Sequence, residues 1–336
     1  MSNDALSAVL DAVRLEGAVF FAVEASAPWV VETPAAREVG PHLLPAAAHI
    51  IDYHVVRQGP CWGGILGEAP IRLATGDIIA FPHGDPHVMS SEPGLRGTPE
   101  LDAVGRVRTS RLPVMIEKHG GGSERASLIC GFLGCDDRPF NPLLAALPRL
   151  MHVPRRAKDA SHLEQLVLLA LAESEARRSG GECVLARLSE LLFIEVVRRH
   201  LSELPEGQGG WLGGLRDASI GRVLAKFHER PAQDWTLEDL AREVGMSRSV
   251  LAERFSHFVG LPPMQYLAQW RMQLASSLLS KTALGLAEIA ERVGYGSEAA
   301  LSRAYKRCVG VAPAEWRRGK RNPGALPPAS EPASEG

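Results

Sequence analysis

Two nine-residue stretches of one pattern, set 49 residues apart, restrict the C-terminal third of this chain to very few folds. Leu237-Glu238-Asp239-Leu240-Ala241-Arg242-Glu243-Val244-Gly245 is answered by Leu286-Ala287-Glu288-Ile289-Ala290-Glu291-Arg292-Val293-Gly294. In each copy the apolar residues hold positions 1, 4, 5 and 8, which is one stripe of a helix. The alanine at position 5 lets a second helix come close. The glycine at position 9 supplies the left-handed backbone that ends a helix and begins a sharp turn. A second helix is expected after each turn, with apolar positions Val250, Leu251, Phe255 and Val259 in the first copy and Ala300, Leu301, Tyr305 and Val309 in the second. The match continues through Gly260/Gly310, Pro263/Pro313 and Tyr266/Trp316 at an offset of 50. Helix, glycine turn and helix, repeated in register, read as two helix-turn-helix units that enter DNA rather than as a purely structural helical repeat.

Charge follows the same division. Residues 216–321 carry 17 lysines and arginines against 11 acidic residues, a net of +6, while residues 1–215 carry 20 against 26, a net of −6. A basic unit beside an acidic one points to double-stranded DNA as the partner of the former alone. A length of 336 residues accommodates two or three domains. The five cysteines are odd in number and scattered, and no leader-like stretch precedes them, so reduced thiols and a cytoplasmic location are expected. The apolar run at 18–23 is far too short to cross a bilayer, and no membrane partner is expected.

The first half has another texture. Residues 2–15, with Leu6, Val9, Leu10 and Val13, predict a short amphipathic helix. From Gly17 onward come short β-rich runs broken by Gly and Pro, at 18–24, 29–31, 49–57, 62–66, 71–73, 77–81, 114–117 and 127–132. Many short strands at close spacing indicate a sandwich or small barrel. Within them, Gly76-Asp77-Ile78-Ile79-Ala80-Phe81-Pro82-His83-Gly84-Asp85-Pro86-His87 fits G-x5-P-x-G-x2-H and resembles the second motif of the cupin superfamily. Pro82 ends an apolar strand, Gly84 permits a turn and His87 is aimed back into the barrel. The stretch corresponding to the first cupin motif, Asp52 to Gly59, has one His, His54, and no Glu, so the three-His-plus-Glu metal centre of that superfamily is absent. A zinc site on His54, His87 and Cys130 is the alternative. The simpler reading is two hydrogen-bonded histidines and a small buried thiol, with no metal and no cofactor. His54, Trp62, His83 and His87 are the candidate ligand-binding residues. Gly120-Gly121-Gly122-Ser123 has no following Lys and is read as a flexible hairpin tip rather than a phosphate cradle.

Pro148, Pro154 and Arg155-Arg156 punctuate a boundary. Beyond it, 161–178 (Leu163, Leu166, Val167, Ala170, Leu171) and 184–201 (Leu185, Leu188, Leu191, Leu192, Ile194, Val196) predict a helical hairpin. Its apolar face pairs with a second copy of the chain, the expected homodimer, or packs on the barrel. The Gly-rich stretch after Glu203 reads as a linker. Ile220, Val223, Leu224 and Phe227 give a leading helix. Thr236 with Asp239, and then Ser247 and Ser297, are N-cap candidates. Residues 262–279, with Met264, Leu267, Trp270, Leu274 and Leu278 on the buried side, form one long helix that holds the two units about 34 Å, one DNA turn, apart.

Taken together, L-x-x-L-A-x-x-V-G-M-S-x-S-x-L-x-x-x-F, a long helix with Arg271, and I-A-x-x-V-G-Y-x-S-x-x-x-L-x-R-x-Y-K-x-x-x-G-x-x-P-x-x-W-R resemble the AraC-type (AraC/XylS) transcription regulators over roughly 100 residues. The β-rich half is similar to the cupin-like sensor domain that often precedes that domain. The resemblance implies an α+β multidomain chain. Residues 1–150 form a cupin-like jelly-roll β-barrel, 151–205 a helical hairpin for dimerisation and 206–215 a linker. Residues 216–321 form an all-α domain with two helix-turn-helix units, and 322–336 a disordered tail. It further implies that each second helix lies in the major groove. Arg248, Ser249, Ala252 and Glu253 of the first copy and Glu298, Ala299, Ser302 and Arg303 of the second then face bases. Ser247, Ser297, Arg271, Lys306 and Arg307 meet phosphates. Four of the base-facing residues, Ala252, Glu253, Glu298 and Ala299, are small or acidic, which is unusual for a DNA contact. The expected function is a sequence-specific regulator controlled by a small-molecule effector in the barrel, not an enzyme, with RNA polymerase as a partner if it activates. The rival is a cupin-type metal-dependent enzyme with a helical appendage.

Overall fold

The computed structural model describes residues 4–13, 15–45, 47–99, 101–107, 113–136, 139–155, 162–176 and 178–321. The expected tail 322–336 lies outside them. Two units emerge, one comprising Val13–Asp137 and Pro142–Gln208, the other Met1–Ala12, Arg138–Asn141 and Gly209–Gly336. The leading helix α1 (Ala5–Val13) falls almost wholly in the second unit. Among the described residues no helix is long and apolar enough to cross a membrane.

The first unit is built from β1 (Glu16–Ser26), β2 (Val30–Thr33), α2 (Ala36–Leu43), β3 (His49–Gln58), β4 (Cys61–Ile65), β5 (Ile71–Leu73), β6 (Ile78–Phe81), β7 (His87–Ser90), α3 (Leu101–Arg106), β8 (Val114–His119), β9 (Arg125–Cys135), α4 (Pro142–Ala146), β10 (Met151–Val153), α5 (His162–Ala176) and α6 (Gly181–Glu203). Among the described residues, six strands form one sheet in the order β10-β6-β3-β9-β1-β8, and four form another in the order β2-β7-β4-β5. Every pairing is antiparallel except β1 with β8. Both sheets turn β-branched and aromatic side chains inward, and Val23, Val56, Phe81, Leu128, Leu73 and Met89 meet in one core. This is the cupin-like barrel, and all eight expected strands are present.

Three expectations about this unit change. β7 and β10 are additions, β7 following the turn at 82–86 directly and β10 lying between Pro148 and Pro154, where the prolines read as a boundary. β10 extends the larger sheet through Val153, so a domain limit at 150 parts this strand from the sheet it completes. The glycines at 120–122 are not a hairpin tip, since β8 and β9 are separated by β1. They cross the end of β1, where Gly120 N–H donates to the Ser26 carbonyl at 2.9 Å and a Cβ on Gly120 would collide with the Pro28 carbonyl oxygen.

The α5–α6 hairpin packs on its own barrel. Leu163, Val167, Leu185, Leu188, Leu192 and Val196 are buried there. Ser189 Oγ donates to the Leu185 carbonyl at 2.8 Å and accepts from the Tyr53 hydroxyl of β3 at 2.5 Å. Most of the apolar face assigned to a second copy is therefore spent within the chain. Leu168, Leu169, Val184 and Leu191 stay exposed.

The second unit adds α7 (Trp211–Arg216), α8 (Ala218–Glu229), α9 (Leu237–Val244), α10 (Arg248–Val259), α11 (Pro263–Lys281), α12 (Leu286–Arg292), α13 (Glu298–Val309) and α14 (Pro313–Arg321). The stretch 206–215 is not simply a linker, because α7 begins inside it with Trp211 and Leu212 buried. Met264 of α11, expected on the buried side, is 39% exposed, whereas Tyr266, Trp270, Met272 and Ala275 are buried.

Candidate nucleic-acid interface and barrel cavity

The two repeated stretches fold alike for the reason their glycines suggest. Gly245 has φ +70° and Gly294 φ +81°. The residue after each glycine closes the helix end, Met246 N–H donating to the Ala241 carbonyl at 2.9 Å and Tyr295 N–H to the Ala290 carbonyl at 2.8 Å. Thr236 Oγ1 accepts from Asp239 N–H and caps α9. Ser247 Oγ accepts from Val250 N–H at 3.3 Å, and Ser297 Oγ from Ala300 N–H at 3.2 Å, so each second helix starts on a serine cap. Leu251, Phe255 and Phe258 anchor α10, and Leu301, Ala304 and Tyr305 anchor α13.

The opposite faces of these helices are open. Ser247, Arg248, Ser249 and Glu253 are exposed with Ala252 half-buried. Ser297, Glu298, Ala299, Arg303, Lys306 and Arg307 are exposed with Ser302 half-buried. Val250, expected in the core, is 49% exposed and stands among them. The apolar stripe is narrow in the first helical turn, and Leu251 alone fills it.

Arg271 does not extend into solvent as a phosphate contact. Its Nε donates to the Pro231 carbonyl at 2.7 Å and its Nη2 to the Gln233 carbonyl at 2.8 Å. The guanidinium carbon sits 5.8 Å from the centre of the Tyr295 ring. Gly294 comes so near this segment that a Cβ would lie 2.8 Å from Ala232 Cα. One side chain thus ties the segment ahead of α9 to the turn after α12, which fixes the two repeats against each other.

A second tie lies deeper. His228 is stacked on Trp270 with centroids 4.2 Å apart. Its Nδ1–H donates to the Ala5 carbonyl of α1 at 3.2 Å, which leaves Nε2 to accept from the Tyr266 hydroxyl at 2.8 Å. Tyr266 in turn accepts from Trp211 Nε1–H at 2.9 Å. Burial holds the His228 imidazole down, to about 3, so the neutral form in this relay is the stable one.

In the barrel, His54 and His87 come together. They lie 33 residues apart in sequence, yet their Nε2 atoms are 2.7 Å from each other and both rings are buried. Cys130 faces His54 across the β3–β9 pairing. Burial keeps both imidazoles neutral, His87 at about 4 and His54 well below its ordinary value. Burial also pushes the Cys130 thiol up, so it stays protonated. Among the described residues no group of three His, Cys, Asp or Glu is disposed to hold a metal ion. A small cavity of about 40 Å³ opens over this point, lined by His54, Cys130 and a largely apolar wall.

Trp62 and His83 do not join it. On β4, Cys61 and Gly63 point inward, and alternation sends Trp62 to the outer side. His83 is exposed, with Nε2 bonded to the Leu147 carbonyl at 2.9 Å.

A cupin-like barrel followed by two serine-capped helix-turn-helix units defines a DNA-binding transcription regulator. Residues 4–202 match the Cupin family and residues 240–319 the Helix-turn-helix domain family. A Streptomyces lividans protein named as an AraC-like transcription regulator is 36% identical over 276 residues, covering 81% of this chain and 88% of that one. The HTH-type transcriptional regulator AlkR of Acinetobacter baylyi is 28% identical over 318 residues, 94% of this chain and 99% of that one. Among solved structures, the DNA-binding domain of AdpA, in complex with a target DNA, is 30% identical across 32% of this chain and 98% of that domain, with a TM-score of 0.30. The chain belongs to the AraC-like transcription regulators with a cupin-like N-terminal domain.

Proposed function

We propose that this regulator reads an operator through α10 and α13 in two successive major grooves, under the control of a small molecule in the barrel. The observation that carries the reading is the pair of serine-capped helices with open faces, held to one another by Arg271. Arg248, Ser249, Ala252 and Glu253 with Glu298, Ala299, Ser302 and Arg303 face bases. Lys306 and Arg307, with Ser247 and Ser297 at the helix starts, meet phosphates. An Arg such as Arg303 suits guanine O6 and N7, and a Glu suits cytosine N4. The exposed Val250 has one apolar match in that groove, the thymine methyl. The effector shifts the balance between arrangements of the chain by binding one of them better. The full-length protein acts in the cytoplasm as a homodimer across the exposed remainder of the α5–α6 face, and meets RNA polymerase when it activates. A non-enzymatic role is supported by relatives that are transcription regulators.

In-vitro selection from a random duplex pool, followed by footprinting on the enriched sequence, tests this. Two protected segments about 10.5 base pairs apart on one face of the duplex are expected. A pool that shows no enrichment overturns the reading.

A further inference from the structure

One residue that lines the barrel cavity, His54, carries a buried ring nitrogen with no partner among the described residues, and the hydrogen-bond chain behind it determines that atom's character. His87 Nδ1–H donates to the Asp85 carbonyl at 2.9 Å, so in the neutral ring His87 Nε2 carries a lone pair. His54 Nε2–H must then be the donor in the 2.7 Å contact between the two rings. That leaves His54 Nδ1 as an acceptor, buried and without a hydrogen-bond partner among the described residues. Buried acceptors are nearly always paired, so an orphaned one on a residue that lines a cavity marks a place for a donor.

The remaining lining fixes the rest of the ligand. Phe21, Val23, Val39, Ile116 and Phe132 form apolar walls. Glu32 is already engaged by both Arg96 Nε and Nη2 at 2.9 Å and by Gly97 N–H at 3.3 Å. Among the described residues that line the cavity there is no lysine or arginine. Among these residues an anion would therefore lose its water with no counter-charge, and a cation would find Glu32, the one described carboxylate, already paired.

We propose that the barrel takes a neutral, largely apolar molecule bearing one hydrogen-bond donor, which His54 Nδ1 accepts. This deepens the effector reading given above and rests on it.

Calorimetric titration of the full-length protein with 4-propylphenol, 4-propylanisole and 4-propylbenzoate tests it. The three share a body and differ in offering a donor, an acceptor only, or a negative charge. The phenol is expected to bind about tenfold more tightly than the anisole, the worth of one hydrogen bond, and the benzoate not measurably. In His54→Phe the phenol should fall to the level of the anisole while the anisole is retained. Equal binding of phenol and anisole by the native chain, or tightest binding of benzoate, overturns the donor assignment and leaves the cavity as an effector site. Binding of none of the three overturns the effector reading together with it. The native comparison decides the matter even if the variant does not fold.

Discussion

The two helix-turn-helix units share a turn and differ in what surrounds it. In the first, Thr236 caps α9, and α8 lies ahead of it with Lys226 paired to Glu243 at 3.3 Å. Its core is a run of large aromatics joined by the Trp211–Tyr266–His228 relay. The second is leaner. α12 spans 7 residues against 8 for α9, has no side-chain cap, and its turn carries the extra Gly296. Charge is divided the other way. α10 has Arg248 and Arg254 against Glu253, and Arg254 is committed to Asp217, its Nη2 lying 2.5 Å from Oδ2. α13 has Arg303, Lys306 and Arg307, all exposed, against Glu298 alone. A duplicated motif has thus been divided into a firmly seated half and a cationic half. Position and affinity need not come from the same copy.

The largest expected effect tests whether the halves are one body. Trp270→Ala removes the ring that stacks on His228 and should cost about 3–5 kcal/mol in urea unfolding. A single transition at a lower midpoint is expected, because Arg271 couples the repeats. Two transitions, with the later one unmoved, would separate them. Arg271→Met addresses that coupling directly by deleting two charged hydrogen bonds worth about 1.5–3 kcal/mol each. Measured by fluorescence anisotropy, binding to the two-part site should drop by roughly tenfold or more, and binding to a single half-site much less. An equal drop for both would make Arg271 a DNA contact after all.

Smaller effects sharpen the division of labour. Arg303→Ala should reduce specific binding by about 1–3 kcal/mol and non-specific binding less. Lys306→Ala should weaken all sequences alike and flatten the logarithmic salt dependence by about 0.9. The same salt slope in both variants would erase the distinction between reading and holding. Smallest are the caps, where Ser247→Ala and Ser297→Ala should each cost about 1 kcal/mol of thermal stability. A much larger loss on α13 than on α10 would show that the leaner copy depends more on its own local structure.

Much of this was legible from local rules. Glycine at the turn, serine three residues ahead of the N–H it caps, and alternating apolar runs all act within a few residues. Long-range partners were not legible. Nothing near Trp211 indicates that a Gly-rich stretch becomes a helix, because its indole is satisfied by Tyr266, 55 residues on. Arg271 reads as a surface cation until Pro231 and Gln233 are seen beneath it. At the candidate sites, His54 and His87 were found by motif. Trp62 and His83 were misplaced because a motif names a strand without telling which side of it each residue takes. Val250 was placed in the core for a related reason: a helical wheel gives an angle but not how wide the buried sector is at that turn.

The contact between Ala5 and His228 spans 223 residues, which bears on the order in which the chain is made. α1 is made well ahead of its anchor, with Leu6 and Val9 destined for burial, and His228 follows 223 residues after Ala5. Until then a nascent chain carries an orphan greasy helix. Fragments that stop short of Phe227 keep it indefinitely, so cutting this regulator at its apparent seam yields a sticky front piece rather than a tidy module.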